Sequence, residues 1–112
     1  MLINISPKKS DCWSLEQMRA AEIFGNVVDF DIPYVSPYLT EEEIEVIAEE
    51  TAKKISEFQP RAVCCQGEMS FSYRVAKKLL AKGIFVVAAV TDVINDKGGT
   101  TFKRFVQFRN LT

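Results

Sequence analysis

Two short polar stretches hold most of the groups in this chain that could do chemistry. The first is Ser6-Pro7-Lys8-Lys9-Ser10-Asp11-Cys12-Trp13, with hydroxyls at Ser6 and Ser10, cations at Lys8 and Lys9, and one large aromatic ring. The second is Gln66-Gly67-Glu68, running into Ser70 at a predicted helix start. Gly67 lets the backbone come close to a ligand, and the helix amides that follow present a positive dipole end that suits an anion. Thr91 and Asp92 follow the most apolar run and complete the set. Together these groups suit a ligand carrying phosphates. The chain has no histidine, which removes the commonest general base and the commonest metal ligand. Gly67 stands in no GxGxxG pattern, so a dinucleotide has little support. No metal and no cofactor are expected.

Each feature also has a plainer reading. Gly67 serves equally as a tight turn between strand and helix. Lys8 and Lys9, taken alone, read more readily as a solvated pair than as a phosphate clamp. Trp13 precedes a helix cap and can pack as a hydrophobic staple rather than stack on a base. Glu68 can cap its own helix or grip a ribose. Cys64 and Cys65 lie inside a predicted strand, where burial is the default. Arg104 and Arg109 read as surface residues within reach of a ligand or a partner.

The elements that position these groups are legible from pattern. Leu2-Ile3-Asn4-Ile5 reads as a buried strand, and Pro7 stops it. Ser14 with Gln17 reads as a capping box opening a helix that ends at Gly25. Residues 27–32 form a second strand. Thr40 and Glu43 make a second capping box, and Ile44, Ile47, Ala48, Thr51, Ala52, Ile55 and Phe58 then recur at helical spacing. Residues 62–66 form a short apolar strand of the kind covered on both faces. A third helix places Val75, Ala76, Leu79 and Leu80 inward and ends at Gly83. Residues 84–90 give the strongest strand, expected to be central. Asp96-Lys97-Gly98-Gly99 signals a hairpin. Its last strand is expected to carry Phe102, Arg104, Val106 and Phe108 on one face and Lys103, Phe105, Gln107 and Arg109 on the other.

The fold predicted is α/β: a Rossmann-like three-layer sandwich over residues 1–112, its sheet mostly parallel with strand order 2-1-3-4 and a C-terminal β-hairpin. That order puts a topological switch point between the first and third strands, where open sheets bind ligands beyond their carboxyl ends.

The 112 residues allow one core. Fourteen basic and fifteen acidic residues leave a formal net charge of -1, which argues against a protein that coats duplex DNA. No apolar run is long enough to span a bilayer, and the start does not read as a targeting peptide. Three cysteines, two of them adjacent, do not make a disulfide framework. A cytoplasmic location is therefore expected, with no membrane partner.

The order Met1-Leu2-Ile3-Asn4-Ile5-Ser6, then Trp13-Ser14, Glu16-Gln17 and Ala20-Ala21, resembles a family of small stand-alone CRISPR-associated proteins of type III systems. Val28-Asp29, Ile32-Pro33, Gln66-Gly67-Glu68 and the closing Phe105-Val106-Gln107-Phe108-Arg109 extend the resemblance over most of the chain. Those proteins are similar to the CARF domain, a sensor of cyclic oligoadenylate, and several are ring nucleases. The resemblance implies a cytoplasmic homodimer in antiviral defence that binds cyclic oligoadenylate and cleaves it without metal. Ser6 and Lys8 would act on the reacting phosphate. Lys9, Ser10, Trp13, Gln66, Gly67, Glu68, Ser70, Thr91 and Asp92 would hold the ligand. A sensor or sponge that does not cleave, or a structural partner in a defence complex, are the alternatives. The chain departs from the family at two places. It has Pro7-Lys8 where Asn-His often follows the serine, and Thr91-Asp92-Val93 where a Ser-x-Arg often stands.

Overall fold

The computed structural model describes residues 1–95 and 97–111. In chain order the elements are β1 (Leu2–Ile5), α1 (Leu15–Ala21), β2 (Val27–Asp29), α2 (Glu41–Glu57), β3 (Ala62–Cys65), α3 (Met69–Ala81), β4 (Val86–Asn95) and β5 (Thr101–Asn110). Single 3-10 turns at Ser10–Cys12 and Glu22–Phe24 flank α1.

The fold is mixed α/β, with one five-stranded sheet of order β2-β1-β3-β4-β5. β1 lies parallel between β2 and β3, and β3 is parallel to β4. β5 is antiparallel to β4. The expected 2-1-3-4 order thus gains a fifth strand at one edge, and β3, not the strand after Gly83, is the middle one. The strand expected at 84–90 instead starts at Val86 and continues through Thr91 and Asp92 to Asn95 as the first arm of the hairpin. Its turn signal falls partly on Asp96, which lies outside the described residues.

The two-residue period of the strands sorts their side chains onto two faces. Ile3, Ile5, Val63, Cys65 and Val86 face α2 and α3, where Ala52, Ile55, Val75 and Leu79 close the main core. Leu2, Ala62, Cys64 and Val87 face the other way, under Trp13 and Ala21 of the α1 side. The Thr40–Glu43 capping box is complete. At α1 only half of one forms: the Ser14 hydroxyl accepts from the Gln17 amide. Phe58, expected on the apolar side of α2, sits past its end and is largely exposed. Across the outer groove between α2 and α3, Glu45 pairs with Arg74 and Lys78, and Lys78 also reaches Glu49. Burial pushes the Cys64 and Cys65 thiols up to about 12, with the neighbouring Cys65 adding to the effect on Cys64, so neither is a nucleophile near neutrality.

β5 does not keep the two faces expected of it. Val90 pairs with Gln107 but Thr91 pairs with Phe105, so Val106 is an extra residue on β5. A bulge of this kind re-aims the side chains beyond it. Phe105 and Phe108, three positions apart, therefore meet with ring centroids 5.1 Å apart. Phe108 in turn meets Trp13 at 5.8 Å.

Candidate functional site

A cleft of about 380 Å³ opens beyond the carboxyl ends of β1 and β3. Ser6, Pro7 and Lys8 enter it from the loop after β1, and Gln66 from the end of β3. Ala89 and Thr91 come from β4, Lys103 and Phe105 from β5 beyond the bulge, and Trp13, Ser14 and Gln17 from the α1 side. Its size falls in the range of small-molecule sites, roughly 300–1,000 Å³.

The loop after β1 is held by a buried polar network centred on Asn4. Asn4 is 1% exposed, in the middle of an otherwise apolar strand. Its amide nitrogen donates to the Lys8 carbonyl at 3.0 Å and to Asp29 Oδ1 at 2.9 Å. Its Oδ1 accepts the Ser6 hydroxyl at 2.7 Å, and that hydroxyl also reaches the Lys8 carbonyl. Asp29 completes the network by accepting the Ser10 amide and hydroxyl. Partial burial pushes the Asp29 carboxyl up, but the hydrogen bonds from Asn4 and Ser10, with Lys9 nearby, outweigh it and hold the group below its ordinary value. Every polar atom of this network has a partner, the condition for buried polar groups to stabilise a fold.

Gln66 is fixed in the same way. Its Oε1 accepts the Ala89 amide at 3.2 Å and its Nε2 donates to the Ala89 carbonyl at 3.3 Å. β3 and β4 pair in register only at Val63–Val86 and Cys64–Val87. Past that point the Gln66 side chain bridges to the Ala89 backbone in place of a strand-to-strand pair, and Gln66 lines the cleft.

Of the residues singled out from sequence, Ser6, Lys8, Trp13, Gln66 and Thr91 come together here. The others go elsewhere. Lys9 is paired with Asp31 at 2.9 Å, and Ser10 is bound to Asp29. Asp92 lies inside β4, exposed and accepting the Val93 amide, not in a loop. The phosphate cradle expected at Gly67 is closed by the protein itself. A Cβ at Gly67 would meet the Ser72 hydroxyl at 3.3 Å and Pro7 at 3.5 Å, and its φ of +140° admits little but glycine. The amides of Ser70 and Phe71 are taken by the Glu68 carboxylate, which also accepts the Ser70 hydroxyl. These bonds, led by that of Ser70, lower the Glu68 pKa. A negative charge thus occupies the helix start where a phosphate was expected. Trp13 is 8% exposed and belongs to the core beneath α1, so it lines the cleft as a largely buried wall.

Residues 1–109 match the model of a family described as the Uncharacterized protein MJ1673 family. The chain belongs to the MJ1673 family. The match spans every residue lining the cleft. No curated protein and no solved structure matches the chain.

In this MJ1673-family chain the cleft gains a residue that sequence reasoning placed on one face of the last strand and gave no role, Lys103. Among the described residues neither the Lys8 nor the Lys103 ammonium has an ion-pair or hydrogen-bond partner. Two free cations therefore flank one cleft, from two elements remote in sequence. Lys103 is brought there by the bulge at Val106, which no local pattern announces. Asn4 carried a visible signal, a lone amide within an apolar run. Among the described residues no group of His, Cys, Asp and Glu is clustered so as to hold a metal ion, and no helix is long and apolar enough to cross a membrane.

Proposed function

We propose that this cleft binds a cyclic oligoadenylate and opens its ring without a metal, in a Rossmann-like, CARF-like domain that switches off a type III CRISPR response. The observation that carries the reading is the pair of free lysines, Lys8 and Lys103, on one cleft at the switch point between β1 and β3. A cleft of this size takes about one nucleotide unit. A ring with rotational symmetry is then shared between the two copies of a homodimer, each offering the same loops.

Ring opening uses the ligand's own groups. The ribose 2′-oxygen attacks the adjoining 3′-phosphate, and the bond from phosphorus to the next 5′-oxygen breaks. The products are a 2′,3′-cyclic phosphate and a 5′-hydroxyl; the 2′ proton leaves to solvent and the 5′-oxygen takes one from solvent. Lys8 and Lys103 stabilise the charge that gathers on the phosphate, and the fixed Gln66 and Thr91 position it. Ser6 acts through the loop it holds, since its hydroxyl already donates to Asn4 and Lys8.

One observation favours a second reading, a receptor that binds without cleaving. Among its described lining residues the cleft has lysines, amides and hydroxyls but no histidine or carboxylate to serve as a base. Incubating the pure protein with cyclic tetraadenylate in EDTA under single-turnover conditions decides between them. The first reading expects slow, complete conversion to products ending in 2′,3′-cyclic phosphate. Bound but intact ligand supports the second, and absence of binding removes both.

A further inference from the structure

A second groove, of about 310 Å³, adjoins the lysine cleft on the same rim. Pro7 and Gln66 line both. The two differ sharply in character. The second groove has no cation among its described lining residues, and its one charge is the Glu68 carboxylate. A phosphate placed there meets like charge at close range. Its walls are apolar or aromatic: Pro33, Tyr34, Val35 and Phe71.

Tyr34 is held in an unusual way for an exposed aromatic residue. The residue is 83% exposed, yet Ile32 and Val35 on either side of it pack against the main core. Pro33 and Pro37 restrict the backbone of the same segment. The chain is thus anchored before and after the ring and holds it at the mouth of the groove. Among the described residues the ring stacks on no other aromatic group.

Resting on the cyclic-oligoadenylate reading, we infer that this groove is the nucleobase subsite of the same site, with Tyr34 as its stacking platform. A phosphate lies over Lys8 and Lys103 while the base attached to the adjoining ribose crosses Pro7 and stacks on Tyr34. Stacking needs an aromatic face and no charge, and the groove supplies that. The Glu68 oxygens are engaged by Ser70 and Phe71, so the carboxylate acts here through its charge, which disfavours a carbonyl-bearing base edge, as in hypoxanthine, relative to an amino-bearing one, as in adenine. The division of labour is therefore lysines for phosphate and Tyr34 for base.

The test uses the full chain and three proteins: wild type, Tyr34→Ala and Tyr34→Phe. Tyr34 lies outside every helix and strand, so neither variant removes a core contact. Affinity is measured by calorimetry for cyclic tetraadenylate and for inorganic tripolyphosphate, which has no base. Loss of one stacked base is expected to weaken cyclic tetraadenylate binding about 10- to 100-fold in Tyr34→Ala. Tyr34→Phe stays close to wild type, and tripolyphosphate binding is the same in all three. Equal affinity of wild type and Tyr34→Ala for cyclic tetraadenylate overturns the subsite alone. So does a parallel loss of tripolyphosphate binding, which marks Tyr34 as merely structural, or a loss in Tyr34→Phe, which points to the hydroxyl. Failure of wild type to bind cyclic tetraadenylate overturns the function proposed for the cleft, and the subsite with it.

Discussion

Replacing Lys8 and Lys103 together by alanine is expected to weaken cyclic tetraadenylate binding by about 100-fold or more. Each ammonium makes a charge-assisted contact with phosphate, and such contacts contribute about 1.5–3 kcal/mol apiece. The effect has a signature beyond its size. Each phosphate contact releases counterions, so the dependence of log K on log salt has a slope of about −0.7 per contact for single strands. The double variant should therefore flatten that slope by about 1.4 per cleft. Both residues are exposed and, among the described residues, neither has a charged partner to strand, so the melting temperature should hardly move. Lys77→Ala is the control, because Lys77 lines the groove between α2 and α3 with Glu45 and Arg74. An unchanged slope in the double variant means that the lysines do not meet the ligand's phosphates.

Asn4→Ala is expected to be the most destabilising polar substitution in the chain. The side chain is 1% exposed and makes three hydrogen bonds, one of them to the Asp29 carboxylate. Its loss strands the Lys8 carbonyl and Asp29 in part and leaves a cavity next to Leu2 and Cys64. Together these effects cost about 3 kcal/mol. For a domain of this length that lowers Tm by roughly 12–20 °C. The same substitution frees the loop that carries Lys8, so ligand affinity should fall as well, even at temperatures where the protein stays folded. A melting temperature within a few degrees of wild type shows that the network does not hold the loop.

Much of the fold was legible because its signals are local. Thr40 and Glu43 announce a capping box that forms in full, and the helical spacing from Ile44 to Ile55 predicts the face of α2 that is buried. The apolar runs at residues 2–5 and 62–66 predict a buried strand and one covered on both faces; strands form at Leu2–Ile5 and Ala62–Cys65, and the two core clusters cover them. Convergence of the loops after β1 and β3 follows from parallel order alone, since every crossover returns the chain to the same end of the sheet.

What sequence did not reveal depends on partners distant along the chain. The bulge at Val106 arises from the pairing of β4 with β5, and it decides that Lys103 and Phe105 face the cleft. Glu68 could reach a ligand or its own helix start, and only the observed geometry gives the second answer. Trp13 had both a packing and a stacking role open to it. Its neighbours Phe108, Leu2 and Val87 settle it in the core. Gly67 does permit a close approach, as its type suggests, but the groups that approach are Ser72 and Pro7 of the same chain.

The most direct test of the cleft is to titrate ¹⁵N-labelled protein with cyclic tetraadenylate and follow amide shifts. The account predicts saturable changes at the Gln66 side-chain amide and at the backbone amides of Lys8, Thr91, Lys103 and Phe105. The groove between Glu45 and Lys78 should stay silent. Shifts centred on that α2–α3 groove, or a spectrum that does not respond to the nucleotide at all, contradict it.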